Sequence, residues 1–367
     1  MQRMRPRTAV AALVVVLATA CQPEDKTTQV TVMSRNLYLG ADLDPILFAL
    51  VGFETGQIPP SQFNAVIGPL ADQAWAEVQA TDFPARAKVV AGEIASQQPE
   101  LVGLQEAALW RTGTAPPATT VVYDFVESLR TELAALGLDY QVADEVIDTD
   151  GEFPLTDGTL VRFTDRDVLL ARADVAWSNP RHANYAAAFP LLTASGPIGI
   201  DLSVLRGWTS VEVQKDGVRF RVYSTHLEVE NPPLNYFQAG QAAELAAILT
   251  GELLPTIVLG DFNSDGNQTN PVSATPTYPL IRDLGFGDPW ADLHPGDPGE
   301  SYCGVTTPMT FDTLSPCDAR LDHNFYRGGF TPLASGEITM TTTPSGIYDS
   351  DHKAMWTRFS ITVPGAR

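Results

Sequence analysis

The chain has 367 residues, 44% of them hydrophobic, which is enough for a large core and too apolar for a chain disordered throughout. Its formal charge of −21 excludes broad electrostatic attraction to nucleic acid, although bound cations can reverse the sign locally. Gly and Pro, 28 of each, are spread along the chain and suit many loops between short elements.

The first 21 residues read as a separate object. Arg3, Arg5 and Arg7 precede an apolar run from Ala9 to Ala20 that leads into Cys21. A basic start, a short apolar stretch and small residues before a cleavage point describe an export signal, and the run is too short for a stable membrane span. Small residues directly before a Cys resemble a bacterial lipoprotein signal, with one departure: Ala18 stands where a larger aliphatic is usual. The expectation is lipidation at Cys21 and anchoring on the extracytoplasmic side of a membrane, with plain secretion as the alternative. Residues 22–29 then form a polar tether and residues 30–363 a single domain. Without the three leader arginines, 20 basic residues face 44 acidic ones, a formal −24. Cys303 and Cys317 remain. Export permits a disulfide between them, which would staple a loop carrying Gly304, Pro308 and Pro316; two buried thiols are the alternative.

Along the domain, residues 29–36 alternate and predict a strand, and residues 42–80 read as helical with Pro59-Pro60 as punctuation. Asp82 is a candidate N-cap, with Pro84 in the first turn and Ala87, Val90, Ala91 and Ile94 as one apolar face. Residues 101–105 read as a buried strand, 123–136 as an amphipathic helix, and 140–143 and 168–171 as strands. Residues 208–226 pair through Lys215-Asp216-Gly217, a hairpin signal. A helix over 234–249 and strands over 256–259, 323–326 and 354–359 follow. Residues 185–208 are apolar and read as core strand, or alternatively as a membrane-facing loop. Helices alternate with strands early and strands dominate later, which suggests two sheets packed face to face with helical outer layers.

Polar residues recur at the ends of the apolar strands: Asn36, Glu106, Asp261, Asn263 and Asp322. Buried alone they would be costly; gathered at one end of two sheets they make an oxygen-rich site suited to Mg²⁺, Mn²⁺ or Ca²⁺. Two of the five His stand with them, His226 at the end of a strand and His352 after Asp351. An imidazole oriented by a carboxylate is a candidate general base.

The strings SRN, GLQE, STHLE, GDFN, RLD and SDH, in this order over residues 30–359, resemble the motifs of the endonuclease/exonuclease/phosphatase superfamily with the deoxyribonuclease-I-like fold. The resemblance implies an α/β four-layered sandwich of two mainly antiparallel sheets flanked by helices. It implies Glu106 as principal metal ligand with Asn36 beside it, and Asp351 as a further metal-side carboxylate. Asp261 and Asn263 would position nucleophile and phosphate. Asp322 and His352 would form the base pair, and His226 would contact the phosphate or protonate the leaving oxygen. The implied reaction is in-line attack of water on phosphorus, without a covalent enzyme intermediate. Nothing in the sequence demands an oligomer, and a monomer is expected.

Two departures stand out. Asn36 and Glu106 lie far apart, with residues 41–80 as an added segment in which Asp42 and Asp44 either approach the metal or start a helix. No carboxylate supporting His226 is evident, Asp167 being a candidate; Arg166 would meet phosphate or form an ion pair. The substrate expected is a phosphoester, in nucleic acid for a nuclease or phosphodiesterase, or in a phospholipid headgroup for a sphingomyelinase-like enzyme. STHLE also resembles the corresponding strand of inositol-phosphatase-like enzymes, and a non-catalytic surface binding protein is the alternative of another class.

Overall fold

In the computed structural model, residues 25–199, 201–230, 234–304 and 316–363 are described. Cys21, the leader and residues 22–24 of the tether lie outside them, and residues 26–29, expected as tether, belong to the first strand. Among the described residues, no helix is long and apolar enough to cross a membrane.

The first strand, β1 (Lys26–Asn36), is exposed at its start and buried throughout its second half, as expected of a strand entering the middle of a sheet covered on both faces. It lies in an eight-stranded sheet ordered β14 (Phe330–Ile338), β15 (Ala354–Val363), β1, β2 (Leu101–Gln105), β6 (Leu160–Arg172), β3 (Leu109–Gly113), β4 (Thr120–Asp124), with β5 (Tyr140–Pro154) also paired to β6. A five-stranded sheet has the order β13 (Asp322–Arg327), β12 (Thr256–Asp261), β11 (Val218–His226), β10 (Gly207–Lys215), β7 (Ala176–Asn184). A small hairpin, β8 (Phe189–Leu192) with β9 (Leu202–Val204), stands apart. Among the described residues, only β1–β2 and β11–β12 pair in parallel; the other ladders are antiparallel.

The two sheets bury Val30, Val32, Leu101 and Leu169 against Val211, Phe220, Val222, Ile257 and Leu259. On the outer face of the larger sheet pack α1 (Asp44–Glu54), α2 (Phe63–Ala80), α3 (Phe83–Gln97) and α4 (Phe125–Ala135). On the outer face of the smaller sheet pack α5 (Asn235–Gly251) and α6 (Thr277–Asp283), with the short α7 (Pro289–Leu293) against β13 and β14. The four-layered sandwich is therefore present.

Most local expectations hold. Asp82 caps α3 by accepting from the Ala85 N–H, and Ala87, Val90, Ala91 and Ile94 are its buried face. The turn at Asp216-Gly217 has two positive φ values, 50° and 74°, the geometry whose twist matches a two-residue hairpin. The Asp42 carboxylate accepts from the Asp44 N–H, 2.9 Å, so it starts α1. In the apolar stretch 185–208, Leu191 and Leu192 are buried, and Phe189, Ile198, Leu202 and Val204 pack on the larger sheet's core, as a short hairpin rather than a continuous core strand. Strands β5 and β6 are much longer than the apolar segments that announced them, because their outer halves carry charged residues paired across the ladder, such as Arg162 with Asp150.

Close approach of the sheets depends on Gly103. A Cβ there would lie 2.0 Å from a Leu259 methyl and 2.4 Å from the Ser224 hydroxyl. Gly103→Ala is expected to destabilise the fold by about 1–3 kcal/mol, the usual cost of overpacking, as a lower urea midpoint; an unchanged midpoint would show that the sheets separate freely.

Candidate active site

The strand registers bring the polar strand ends together. Asn36 ends β1 opposite Gln105, so Glu106 follows beside it. In the second sheet His226 pairs with Asp261, and Asp261 with Asp322. The segment Ser350–His352 runs directly into β15, whose Met355 pairs with Ser34 of β1. All these residues therefore occupy the same end of the sandwich.

Asn36 links the two sheets. Its amide nitrogen donates to Glu106 Oε1 and to Asp261 Oδ2, each at 3.1 Å, while its oxygen accepts from the Tyr38 N–H at 2.9 Å. Asn36 thus orients carboxylates from both sheets through its nitrogen, while its oxygen is turned to the backbone of Tyr38. Glu106 leaves strand geometry with φ 54°, an uncommon conformation for a residue with a side chain, and its second oxygen accepts from the Leu39 N–H at 2.7 Å. Gly260, the next-to-last residue of β12, allows close approach to β11: its φ is 141°, and a Cβ would lie 1.9 Å from the Thr225 carbonyl oxygen. Asp261 then accepts from the Asn263 N–H at 3.0 Å.

His352 Nδ1 bonds Asp322 Oδ2 at 2.8 Å, and the Ser301 hydroxyl donates to the same oxygen at 2.7 Å. This leaves His352 Nε2 facing Asp261 Oδ2 at 3.7 Å. His226 Nε2 faces the same oxygen, also at 3.7 Å, and the Asn263 side chain lies 3.3 Å from it. Asp351 is close enough for its charge to raise both the Glu106 carboxyl and the His352 imidazole.

Electrostatics separate the two imidazoles. Burial opposes charge on His352, but Asp322, with Asp261 and Asp351, overcomes it and raises the pKa to about 10. His226 is held well below 6.5 by burial, then by Arg206 and His352, and is neutral. Burial lifts Asp261 to about 6, against the attraction of His352. Glu106 is raised by burial and then by Asp351.

The donor set fits a divalent cation. Asp261, Asp322 and His352 bring ligand atoms within 4.8 Å of one another. Glu106 and Asp351 add hard oxygens, and Asp322 Oδ1 is buried without a hydrogen-bond partner. The nearby arginines offer no spare charge, since Arg35 is committed to Glu93 and Asp349, and Arg206 to Asp165 and Glu228. Carboxylates crowded in a dry site without a matching countercharge favour a small cation.

No protein-family model matches the sequence, and no curated protein matches it. Solved structures do. An endonuclease/exonuclease/phosphatase family protein from Bacteroides thetaiotaomicron aligns with a TM-score of 0.52 at 17% identity, over 92% of this chain and 97% of that one. An endonuclease/exonuclease/phosphatase from Beutenbergia cavernae aligns with a TM-score of 0.53 at 18% identity, over 91% and 72%. TDP2 from D. rerio, solved with a single-strand DNA product, aligns with a TM-score of 0.50 at 15% identity, over 90% and 99%. The fold is that of the endonuclease/exonuclease/phosphatase proteins.

Of the residues expected at an endonuclease/exonuclease/phosphatase site, Asn36, Glu106, His226, Asp261, Asn263, Asp322, Asp351 and His352 come together. Arg166 does not, and the expectation that it meets phosphate is corrected. Its guanidinium donates to the Ala107 carbonyl at 2.9 Å and to Asp124 at 2.7 Å, with Glu145 at 3.5 Å, a partly buried ion-pair cluster facing β4 and β5. Asp167 lies 3.9 Å from His226 Nδ1, but Arg206 lies closer, at 3.2 Å.

Several supporting residues are not among those the motifs assign. Buried Arg35 binds Asp349 at 2.7 Å and donates to the His352 carbonyl, while buried Arg86 donates to the Asp349 carbonyl at 3.0 Å and to the Tyr38 carbonyl at 3.2 Å. Together they tie the 349–352 segment to β1. Arg35 lies inside the SRN string, where a charged residue within an otherwise apolar strand was the available signal. The Cys303–Cys317 disulfide is formed. Cys303 N–H donates to the Asp351 carbonyl at 3.0 Å, and the Tyr302 ring lies 5.0 Å from His352. The bridge therefore clamps the wall beside the imidazole.

His352 binds its proton more tightly in the folded chain, at about 10, than its ordinary value of 6.5. In protein stripped of divalent cations, its contribution to stability is complete below pH 6.5 and is lost as pH rises through about 10. The stability gap between wild type and Asp322→Asn is expected to narrow over that interval in urea titrations at stepped pH. A pH-independent gap would contradict the pairing.

Proposed function

We propose that this protein is a divalent-metal-dependent phosphoester hydrolase acting outside the cytoplasm, most readily as a phosphodiesterase or nuclease. The observation that carries the proposal is the Asp322–His352 pair aimed at Asp261, beside the Glu106–Asn36 bridge. Localisation rests on the leader, with lipid anchoring at Cys21, and agrees with a disulfide that needs an oxidising compartment.

Glu106 and Asp351 would hold the cation, with Mg²⁺ first and Mn²⁺ or Ca²⁺ as alternatives, and Asn36 would steer Glu106 from behind. When bound, the cation neutralises charge on the phosphate and its leaving oxygen. His352, oriented by Asp322 through Nδ1, accepts the proton of the attacking water at Nε2. To do so it must be neutral. Its proton is held by surrounding carboxylates, so their neutralisation on cation binding and the basicity of His352 are linked events. Asp261 and Asn263 position water and phosphate, and His226 contacts a phosphoryl oxygen.

Charge around the mouth bears on the substrate. Asp44 is raised by burial, then by Asp42 and Glu228, and Glu230 lies near both His352 and Asp318. A long polyanion would meet this acidic rim unfavourably. That favours a short phosphoester, or a single-stranded end, over a long duplex.

The test is a substrate panel of DNA, RNA, nitrophenyl phosphate esters and sphingomyelin vesicles, each with Mg²⁺ or chelator. Turnover of at least one ester is expected, abolished by chelation. His352→Ala and Glu106→Gln are each expected to lower it by about 100-fold or more with unchanged circular dichroism. Full activity in either variant would remove the assignment.

A further inference from the structure

The two histidines flank one oxygen, Asp261 Oδ2, at equal distance, yet they are built in opposite ways. His352 offers Nδ1 to a carboxylate. His226 offers Nδ1 to a guanidinium. Arg206 lies in the short link between β9 and β10, one residue before Gly207, which pairs with His226 across the ladder. Its carbonyl accepts from the Tyr185 N–H at 2.9 Å, fixing the link. Its Nη1 lies 3.2 Å from His226 Nδ1 and 3.5 Å from Asp165, and its Nη2 lies 3.2 Å from Glu228. Its side chain is 12% exposed, so these contacts are largely screened from water.

A guanidinium can only donate. His226 Nδ1 must therefore accept, and a neutral imidazole then carries its proton on Nε2. The alternative places an Nδ1–H against a charged donor. One contact opposes the first arrangement: the Asn263 amide nitrogen, which donates to the Leu227 carbonyl at 2.9 Å, also lies 3.3 Å from Nε2. That is a longer contact with a neutral group, and the guanidinium is the stronger constraint. A carboxylate that could draw the proton to Nδ1 is present, since Asp167 lies 3.9 Å away. It is fully buried, and burial and the neighbouring Asp148 raise its pKa, so it competes poorly with Arg206.

We infer that Arg206 is a positioning residue that fixes His226 as a neutral, Nε2-protonated imidazole, which therefore gives the substrate a fixed hydrogen-bond donor rather than a transferable proton. The role toward substrate rests on the phosphoester reading; the tautomer does not. The division of labour is then explicit. His352, once neutral, turns the Nε2 lone pair toward the reacting centre and accepts a proton, while His226 has its N–H toward the same centre and donates a hydrogen bond.

The test is two-bond ¹H–¹⁵N spectroscopy of the full chain labelled at histidine, without divalent cations and without substrate. His226 is assigned by the signal lost in His226→Gln. The expected pattern is an acceptor-type Nδ1 and a protonated Nε2 across neutral pH, kept in Arg206→Lys and lost in Arg206→Met to an Nδ1–H or doubly protonated ring. An Nδ1–H or an imidazolium in the wild type overturns the inference, as does a wild-type tautomer in folded Arg206→Met. If Arg206→Met does not fold, the wild-type and Arg206→Lys spectra decide alone. No turnover is needed, so failure of the substrate panel and failure of this assignment are separate results.

Discussion

A single amide joins the two halves of the molecule where the chemistry is expected. Asn36 ends a central strand of the larger sheet and donates to Glu106 of that sheet and to Asp261 of the other. Two carboxylates crowded into a site shielded from water repel one another, and a neutral two-handed donor lets both stay without adding charge. The rest of the site depends on that geometry. The sheets must approach closely, which Gly103 permits, and their strands must end level, which the registers of β1 with β2 and β11 with β12 provide.

Charge balance organises the surrounding shell. The protein spends its buried cations on structure: Arg35 and Arg86 secure the 349–352 segment, and Arg206 satisfies Asp165 and Glu228. Breaking one such buried pair typically costs about 3–5 kcal/mol, since it strands the partner charge. What remains at the mouth is an excess of carboxylate. On the proposed phosphoester reading, this balance would suit a divalent cation and disfavour extended polyanions.

The site residues on strand ends were readable from sequence because a charged or amide residue just after an apolar run has few structural uses, and six such strings in order reinforce one another. The elements carried by continuous apolar segments, β1, β2, β11 and β12, were readable for the same reason. The edge regions were not. β3, β4, β7 and β14 are partly exposed, and their sequences lack the alternation that marks a half-buried strand. Arg206 was illegible because its importance comes from a ladder pairing Gly207 with His226, 19 residues later in the chain. Of the two roles open to Arg166, the ion pair is the one realised, because on β6 it points into a different polar cluster.

The central claim is that Glu106 carries the metal while Asp322 and His352 carry the proton. Anomalous diffraction from crystals soaked in Mn²⁺ tests it most directly, since Asp261, Asp322 and His352 form a competing cage. The account predicts a peak within coordination distance of the Glu106 carboxylate, with His352 Nε2 unligated. A peak bonded to His352 Nε2 and Asp322, with none at Glu106, would contradict it.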